Sequence, residues 1–172
     1  MPQLIDRRRF PWVFPYAEDP TSGWTHPTGR HVYRPVVNIT LVGPDGPDGP
    51  EEATFLALVD SGAERVLAAP GVARQIGVAP DRDHGEPLKI GGEVRMVHPA
   101  EVTLRLAPEP GLPGMEWRAE VGFFSQWTSA PWQVLLGQVG FFDQFTVTFS
   151  RRALQLAVEN VEAFDQRYDS GS

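Results

Sequence analysis

Hydrophobic and polar residues alternate along several short segments of the chain, as they do in β-strands that bury one face. Val37, Ile39 and Leu41 fall on one side of the first such segment, and residues 117–123 repeat the pattern later in the chain. Residues 54–59, Thr-Phe-Leu-Ala-Leu-Val, are apolar at nearly every position, which predicts a strand covered on both faces. Together these patterns predict a mainly β protein.

Glycine and proline separate these segments, and 17 of each among 172 residues leave little room for long helices. The Gly-Pro-Asp repeat at residues 43–50 is predicted to be a flexible loop outside the sheet, because proline cannot donate a ladder hydrogen bond. A glycine pair between residues 88–90 and 93–97 is typical of a hairpin turn, and residues 146–158 predict a terminal hairpin. Short helices are predicted at residues 70–77 and 139–145.

The strand pattern predicts one domain over residues 34–158. Residues 1–33 are rich in Pro, Trp and Tyr without a clean period, and they are predicted to form an irregular arm anchored by its aromatic side chains. Residues 159–172 are polar and are predicted to be a C-terminal tail.

Composition argues against several classes of function. The chain has no cysteine, which excludes disulfides, thiol catalysis and cysteine-ligated zinc. Its formal charge of −7 argues against nucleic acid or anionic lipid as a partner, and no apolar stretch is long enough to predict a membrane span. Residues 7–10, Arg-Arg-Arg-Phe, look like a twin-arginine export signal, but Pro11 and Pro15 interrupt the apolar run. A cytoplasmic location is therefore expected.

No cofactor and no metal site is predicted. The histidines, His26, His31, His84 and His98, include no pair at i, i+4 spacing and are expected to lie in loops or on the surface. The motifs of phosphate-binding loops, dinucleotide folds and serine hydrolases are also absent from the sequence.

An acidic tetrapeptide, Asp-Ser-Gly-Ala at residues 60–63, follows the apolar strand directly and places a carboxylate at the edge of the core. Taken alone, this motif has the composition of a tight turn, because Asp, Ser and Gly are ordinary turn residues. The chain repeats Asp-Ser-Gly at residues 169–171 with no buried strand before it, and this second copy is expected to belong to the tail.

The order of the motifs that follow the first copy is more specific. Residues 58–63, Leu-Val-Asp-Ser-Gly-Ala, precede the glycine hairpin, then Val-Leu-Leu-Gly at 134–137 and Gly-Phe-Phe-Asp at 140–143. In this order the chain resembles the retropepsin-like aspartic proteases, single-lobe relatives of pepsin that work as homodimers. The resemblance covers about residues 34–158. It implies an all-β, closed retropepsin-like barrel with one or two short helices.

The same resemblance implies an aspartic endopeptidase in which Asp60 is the catalytic residue of each subunit. Two carboxylates held close together share one proton, so that one activates water while the other polarises the scissile carbonyl. One chain offers one such loop, and a homodimer would complete the pair.

Two groups of residues would support this site. The first supports the catalytic loop, and the second forms the tip of a flap that closes over a peptide or protein substrate. The residues that support the catalytic loop are Ser61, Gly62 and Ala63. The residues at the tip of the flap are Ile90, Gly91 and Gly92.

Two positions bear on this interpretation. Gln138 stands where retroviral members of the family usually place an arginine that helps to hold the dimer, and Arg65 is near enough in sequence to face Asp60. Two alternatives stay open: a retropepsin-like module that binds peptides or dimerises without cleaving, and an unrelated β domain in which residues 60–62 are only a turn.

Overall fold

The computed structural model describes residues 5, 10, 12–19, 32–90, 92–106, 114–127 and 131–169, with side chains up to residue 166. Twelve strands and two short helices lie in these ranges. In chain order they are β1 (Trp12–Pro15), β2 (Ala17–Glu18), β3 (Tyr33–Arg34), β4 (Val36–Gly46), β5 (Gly49–Val59), β6 (Leu67–Ala68), α1 (Pro70–Gln75), β7 (Glu86–Ile90), β8 (Glu93–Leu106), β9 (Met115–Phe124), β10 (Val134–Leu136), β11 (Phe145–Ser150), β12 (Gln155–Asn160) and α2 (Val161–Asp169).

Six strands form a closed barrel, which confirms the all-β prediction. Their order is β4, β5, β10, β6, β9 and β8, and the pairing of β4 with β8 closes the ring. Strand β10 runs parallel to β5, and β6 runs parallel to β9, whereas the other barrel pairs are antiparallel. Strand β7 pairs with β8 alone and extends the sheet beyond the barrel.

The predicted alternation is confirmed in β4, where Val37, Ile39 and Leu41 are buried in the core. It is also present in β5, where the sequence predicted two covered faces. Phe55 and Ala57 are buried, but Leu56 between them is 42% exposed. The prediction for residues 54–59 was therefore wrong in this respect, because one face of β5 lines the barrel interior and the other is only partly covered.

The Gly-Pro-Asp repeat does not leave the sheet, contrary to the prediction. Strands β4 and β5 stay paired through it as far as Gly46 and Gly49, with a register shift between Val42 and Asp45. Pro44 lies within this irregularity and Pro47 lies in the turn, so neither needs to donate a ladder hydrogen bond.

Of the two predicted helices, only the first is present. Helix α1 begins at Pro70, and Gly77 follows it with a φ of +63°, as expected for a glycine stop. Residues 140–144 form successive turns instead of a helix. Gly140 has a φ of +94°, and its N–H donates to Asp143 Oδ2 at 3.1 Å, which favours a turn over a continuous helix.

Residues 12–15, which the sequence predicted to be irregular, form strand β1. This strand pairs with β12 in a separate three-stranded sheet whose other edge is β11. Trp12 and Phe14 are buried in the main core, and the ring of Trp12 meets Phe145 edge-on with centroids 5.7 Å apart. Strands β11 and β12 confirm the terminal hairpin. The first two residues of the predicted polar tail, Glu159 and Asn160, instead complete β12, and Glu159 is buried. Helix α2 follows, while Ser170 and Gly171 of the second Asp-Ser-Gly copy lie outside the described residues.

None of the helices that the structure describes is long and apolar enough to cross a membrane.

Candidate active site

The acid loop, residues 60–64, begins where β5 leaves the barrel. Strand β10 lies parallel to the end of β5, with Leu136 opposite Val59. The N–H of Asp60 donates to the carbonyl of Leu136 at 3.0 Å, which extends this pairing by one residue. The two central strands therefore fix the position at which the carboxylate enters the loop.

The acid loop folds back onto its own first residue. The N–H of Gly62 donates to Asp60 Oδ1 at 2.9 Å, and the N–H of Ala63 donates to the Asp60 carbonyl at 3.1 Å. Asp60 is half-buried, Ser61 and Gly62 are exposed, and Ala63 is buried. The four residues singled out by the sequence thus lie together, with the carboxylate oriented by a backbone donor of its own loop.

The chain after β10 passes close beneath the acid loop. The N–H of Gln138 donates to the Ala63 carbonyl at 2.9 Å, and the N–H of Val139 donates to the Glu64 carbonyl at 2.9 Å. A Cβ at Gly137 would lie 2.3 Å from the carbonyl oxygen of Arg65. Only glycine allows this close approach of two backbones.

The side chain of Gln138 braces the acid loop within the same chain. Its Nε2 donates to the carbonyl of Ser61 at 2.7 Å, across 77 positions of sequence. The sequence identified Gln138 only as a departure from the dimer-stabilising arginine of the family pattern. The structure assigns it a contact within its own chain that supports the exposed half of the loop.

Gln138→Ala is expected to lower the free energy of unfolding by about 0.5–1 kcal/mol, because one hydrogen bond to an accessible carbonyl is lost and water replaces it in part. Urea denaturation would measure the change. Gln133→Ala is the matched control, because Gln133 is also exposed and its side chain has no hydrogen bond to the described residues. Equal stability of the two variants would show that this hydrogen bond contributes nothing.

The glycine hairpin predicted between residues 88–90 and 93–97 is present as β7 and β8. Ile90 pairs with Glu93, and Gly92 in the turn has a φ of +91°. Such a φ favours glycine in a tight hairpin. Ile90 is half-buried and Gly92 is exposed, while Gly91 lies outside the described residues.

A cavity of about 220 Å³ lies between the acid loop and strand β7. Asp60 and Glu64 contribute to one side, and Leu88, Lys89 and Ile90 contribute to the other. Apolar surface is completed by Leu67 of β6 and Leu135 of β10. The structure therefore brings Asp60, Gly62, Ala63 and Ile90 to one cavity, whereas Ser61 and Gly92 do not line it.

Arg65 does not face Asp60. Its guanidinium forms ion pairs with Glu86 at the start of β7 and with Glu120 on β9, each at 3.2 Å. It thus ties the end of the acid loop to the base of the hairpin. No sequence pattern predicts this bridge, because Arg65, Glu86 and Glu120 are far apart in the chain.

The described residues contain no cluster of three metal-ligating side chains. His84 Nδ1 lies 2.7 Å from Asp81 Oδ2, and His98 Nε2 lies 3.0 Å from Ser125 Oγ. His26 and His31 lie outside the described residues.

No protein-family model matches the chain. A search of curated proteins also found no match.

Proposed function

We propose that the chain is an aspartic endopeptidase of the retropepsin type, in which the Asp60 carboxylates of two copies activate the attacking water. The observation that carries this proposal is the cavity shared by Asp60 and the strand that leads to the hairpin tip. A carboxylate at the end of a central strand, facing a hairpin that can cover it, is the arrangement such hydrolysis needs.

The state of the Asp60 side chain supports a role in proton transfer. Its Oδ1 accepts the N–H of Gly62, and among the described residues no other group is hydrogen-bonded or ion-paired to the carboxylate. Oδ2 is therefore available to a water or to a second carboxylate. Since a lone carboxylate cannot both take a proton from water and donate one to the scissile carbonyl, a second acid is required.

A second copy of the chain is the natural source of that acid. Ser61 and Gly62 are exposed at the outer side of the acid loop, so nothing in the described part of the chain covers this side. A two-fold axis beside the loop would bring the two Asp60 side chains together, and each copy would contribute one β7–β8 hairpin as a flap.

The proposed substrate is an extended peptide held between the acid loop and β7. Leu67, Leu88 and Leu135 provide apolar surface for a side chain beside the scissile bond. The hairpin would offer strand-like hydrogen bonds to the substrate backbone.

The test is cleavage of a diverse peptide library between about pH 3 and pH 8, a range that spans the titration of paired carboxylates. We expect cleavage at defined bonds, with a specific activity that falls when the protein is diluted below the dissociation constant of the dimer. Sedimentation at the assay concentrations would report the oligomeric state. Dimers that cleave nothing across this range would contradict the proposal and favour a peptide-binding module without catalysis.

A further inference from the structure

A second cavity, of about 690 Å³, lies beside the base of the β7–β8 hairpin. None of the described residues lines both this cavity and the cavity at Asp60. Helix α1, the loop that follows it, and the adjoining ends of β8 and β9 form its walls. Its volume lies within the range of roughly 300–1,000 Å³ that is typical of small-molecule sites.

The inner wall of this cavity is apolar. Phe123 and Phe124 at the end of β9 line the cavity but are each 2% exposed, and the loop contributes apolar surface from the half-buried Val78 and Pro80. Apolar surface of this kind binds the hydrocarbon part of a ligand.

Two arginines, Arg74 and Arg82, line the same cavity, and neither forms an ion pair with a residue that the structure describes. By contrast, Arg65, Arg95 and Arg105 are all paired with glutamates. None of the described lining residues is acidic, although the whole chain carries a formal charge of −7. The cavity is therefore a local cationic site on an acidic protein.

The nearest acid in sequence, Asp81, is already engaged. Its Oδ1 accepts the N–H groups of Asp83 and His84, and its Oδ2 lies 2.7 Å from His84 Nδ1. The hydrogen bond with the His84 side chain, followed by that with the Asp83 N–H, lowers the pKa of Asp81. Asp81 is thus engaged within its own loop, and it forms no ion pair with Arg82.

One wall holds a fixed polar pair. His98 Nδ1 lies 3.2 Å from the Asp81 carbonyl, which can only accept a hydrogen bond. In neutral His98 the proton is therefore on Nδ1, and Nε2 accepts the hydroxyl hydrogen of Ser125 at 3.0 Å. The pair orders the wall without adding a negative charge to it.

We propose that this cavity binds the carboxylate of an apolar organic acid, with Arg74 and Arg82 at the carboxylate and the apolar surface of Val78 and Pro80 against the hydrocarbon body. The guanidinium fork matches a carboxylate in shape and charge. This site is distinct from the Asp60 cavity and does not depend on the proposed peptidase activity.

The test is calorimetric titration of the full-length protein with 3-phenylpropionate and with its neutral analogue 3-phenylpropanamide. We expect the acid to bind at least about tenfold more tightly than the amide. Arg74→Gln and Arg82→Gln are each expected to weaken binding of the acid about fivefold, and Arg74→Lys about twofold. Arg118→Gln is the matched control, because Arg118 is exposed, is not ion-paired within the described chain and does not line the cavity.

A second arm distinguishes a free organic acid from the C-terminal carboxylate of a peptide. It compares N-acetyl-leucyl-phenylalanine with the corresponding C-terminal amide. Tighter binding of the dipeptide acid than of 3-phenylpropionate assigns the site to peptide C-termini, and the reverse order assigns it to small acids. The proposal is overturned if neither acid binds at millimolar concentration, if acid and amide bind equally, or if Arg118→Gln weakens binding as much as Arg74→Gln.

Discussion

Asp60→Asn is expected to lower kcat/KM for peptide cleavage by about 10³, within the range of roughly 10²–10⁴ found for removal of a general acid or base. Asparagine retains an Oδ1 that can accept the Gly62 N–H, so the acid loop should keep its fold. It cannot exchange a proton with water, and two asparagines cannot share one. The rate would be measured on the best library peptide at the optimum pH of the native protein.

Glu64→Gln is the control for this variant. Glu64 lines the same cavity and is exposed, and its backbone carbonyl accepts the Val139 N–H. The variant therefore removes one negative charge from the cavity but keeps the backbone hydrogen bond between Val139 and Glu64. We expect less than about a threefold change in rate, because exposed charges are screened by solvent.

Two results would count against catalysis by Asp60. Full activity in Asp60→Asn would show that the carboxylate does not take part in the reaction. Equal losses in Asp60→Asn and Glu64→Gln would assign the effect to the charge of the cavity instead of to proton transfer. Circular dichroism and sedimentation of each variant would separate these results from loss of the fold or of the dimer.

The parts of the fold that sequence predicted are those set by local patterns. Val37, Ile39 and Leu41 alternate with polar neighbours, and this period alone places them on the buried face of a strand. The same reasoning failed at Leu56, because hydrophobicity does not reveal whether another layer covers the outer face of a barrel strand. It failed also at residues 140–144, where Gly140 has a positive φ and its N–H donates to the Asp143 carboxylate, so that turns form in place of a helix.

The sequence predicted which residues belong to the candidate site but not the contacts that hold them in place. The position of Asp60 after an apolar strand is a local signal, and the structure confirms that it lies at the barrel edge beside the hairpin. The supports of the loop are not local. Gln138 reaches Ser61 across 77 positions, and Arg65 joins Glu86 to Glu120, so no short window of sequence contains these pairs.

Gly137→Ala is expected to lower the free energy of unfolding by about 3 kcal/mol, the upper part of the range for overpacking. Its Cβ would lie 2.3 Å from the Arg65 carbonyl oxygen and 2.6 Å from that of Ala63. Both are backbone atoms, so no flexible side chain can move aside. Relief of the clash must separate the two segments and stretch the hydrogen bond from Gln138 N–H to the Ala63 carbonyl. Urea denaturation would measure the loss.

Gly62→Ala tests why Gly137→Ala lowers the free energy of unfolding. The cause is either the close approach of two backbones at Gly137 or any methyl group added near the acid loop. A Cβ at Gly62 would meet only Asp60 Oδ1, at 3.3 Å, which a small rotation of that side chain can relieve. Its expected cost is therefore below about 1 kcal/mol. Native-like stability of Gly137→Ala would show that the chain does not pass so close beneath the loop. Equal losses in the two variants would show instead that the acid loop itself tolerates no added volume. The position of Asp60 would then depend more on the loop than on its contacts with residues 137–139.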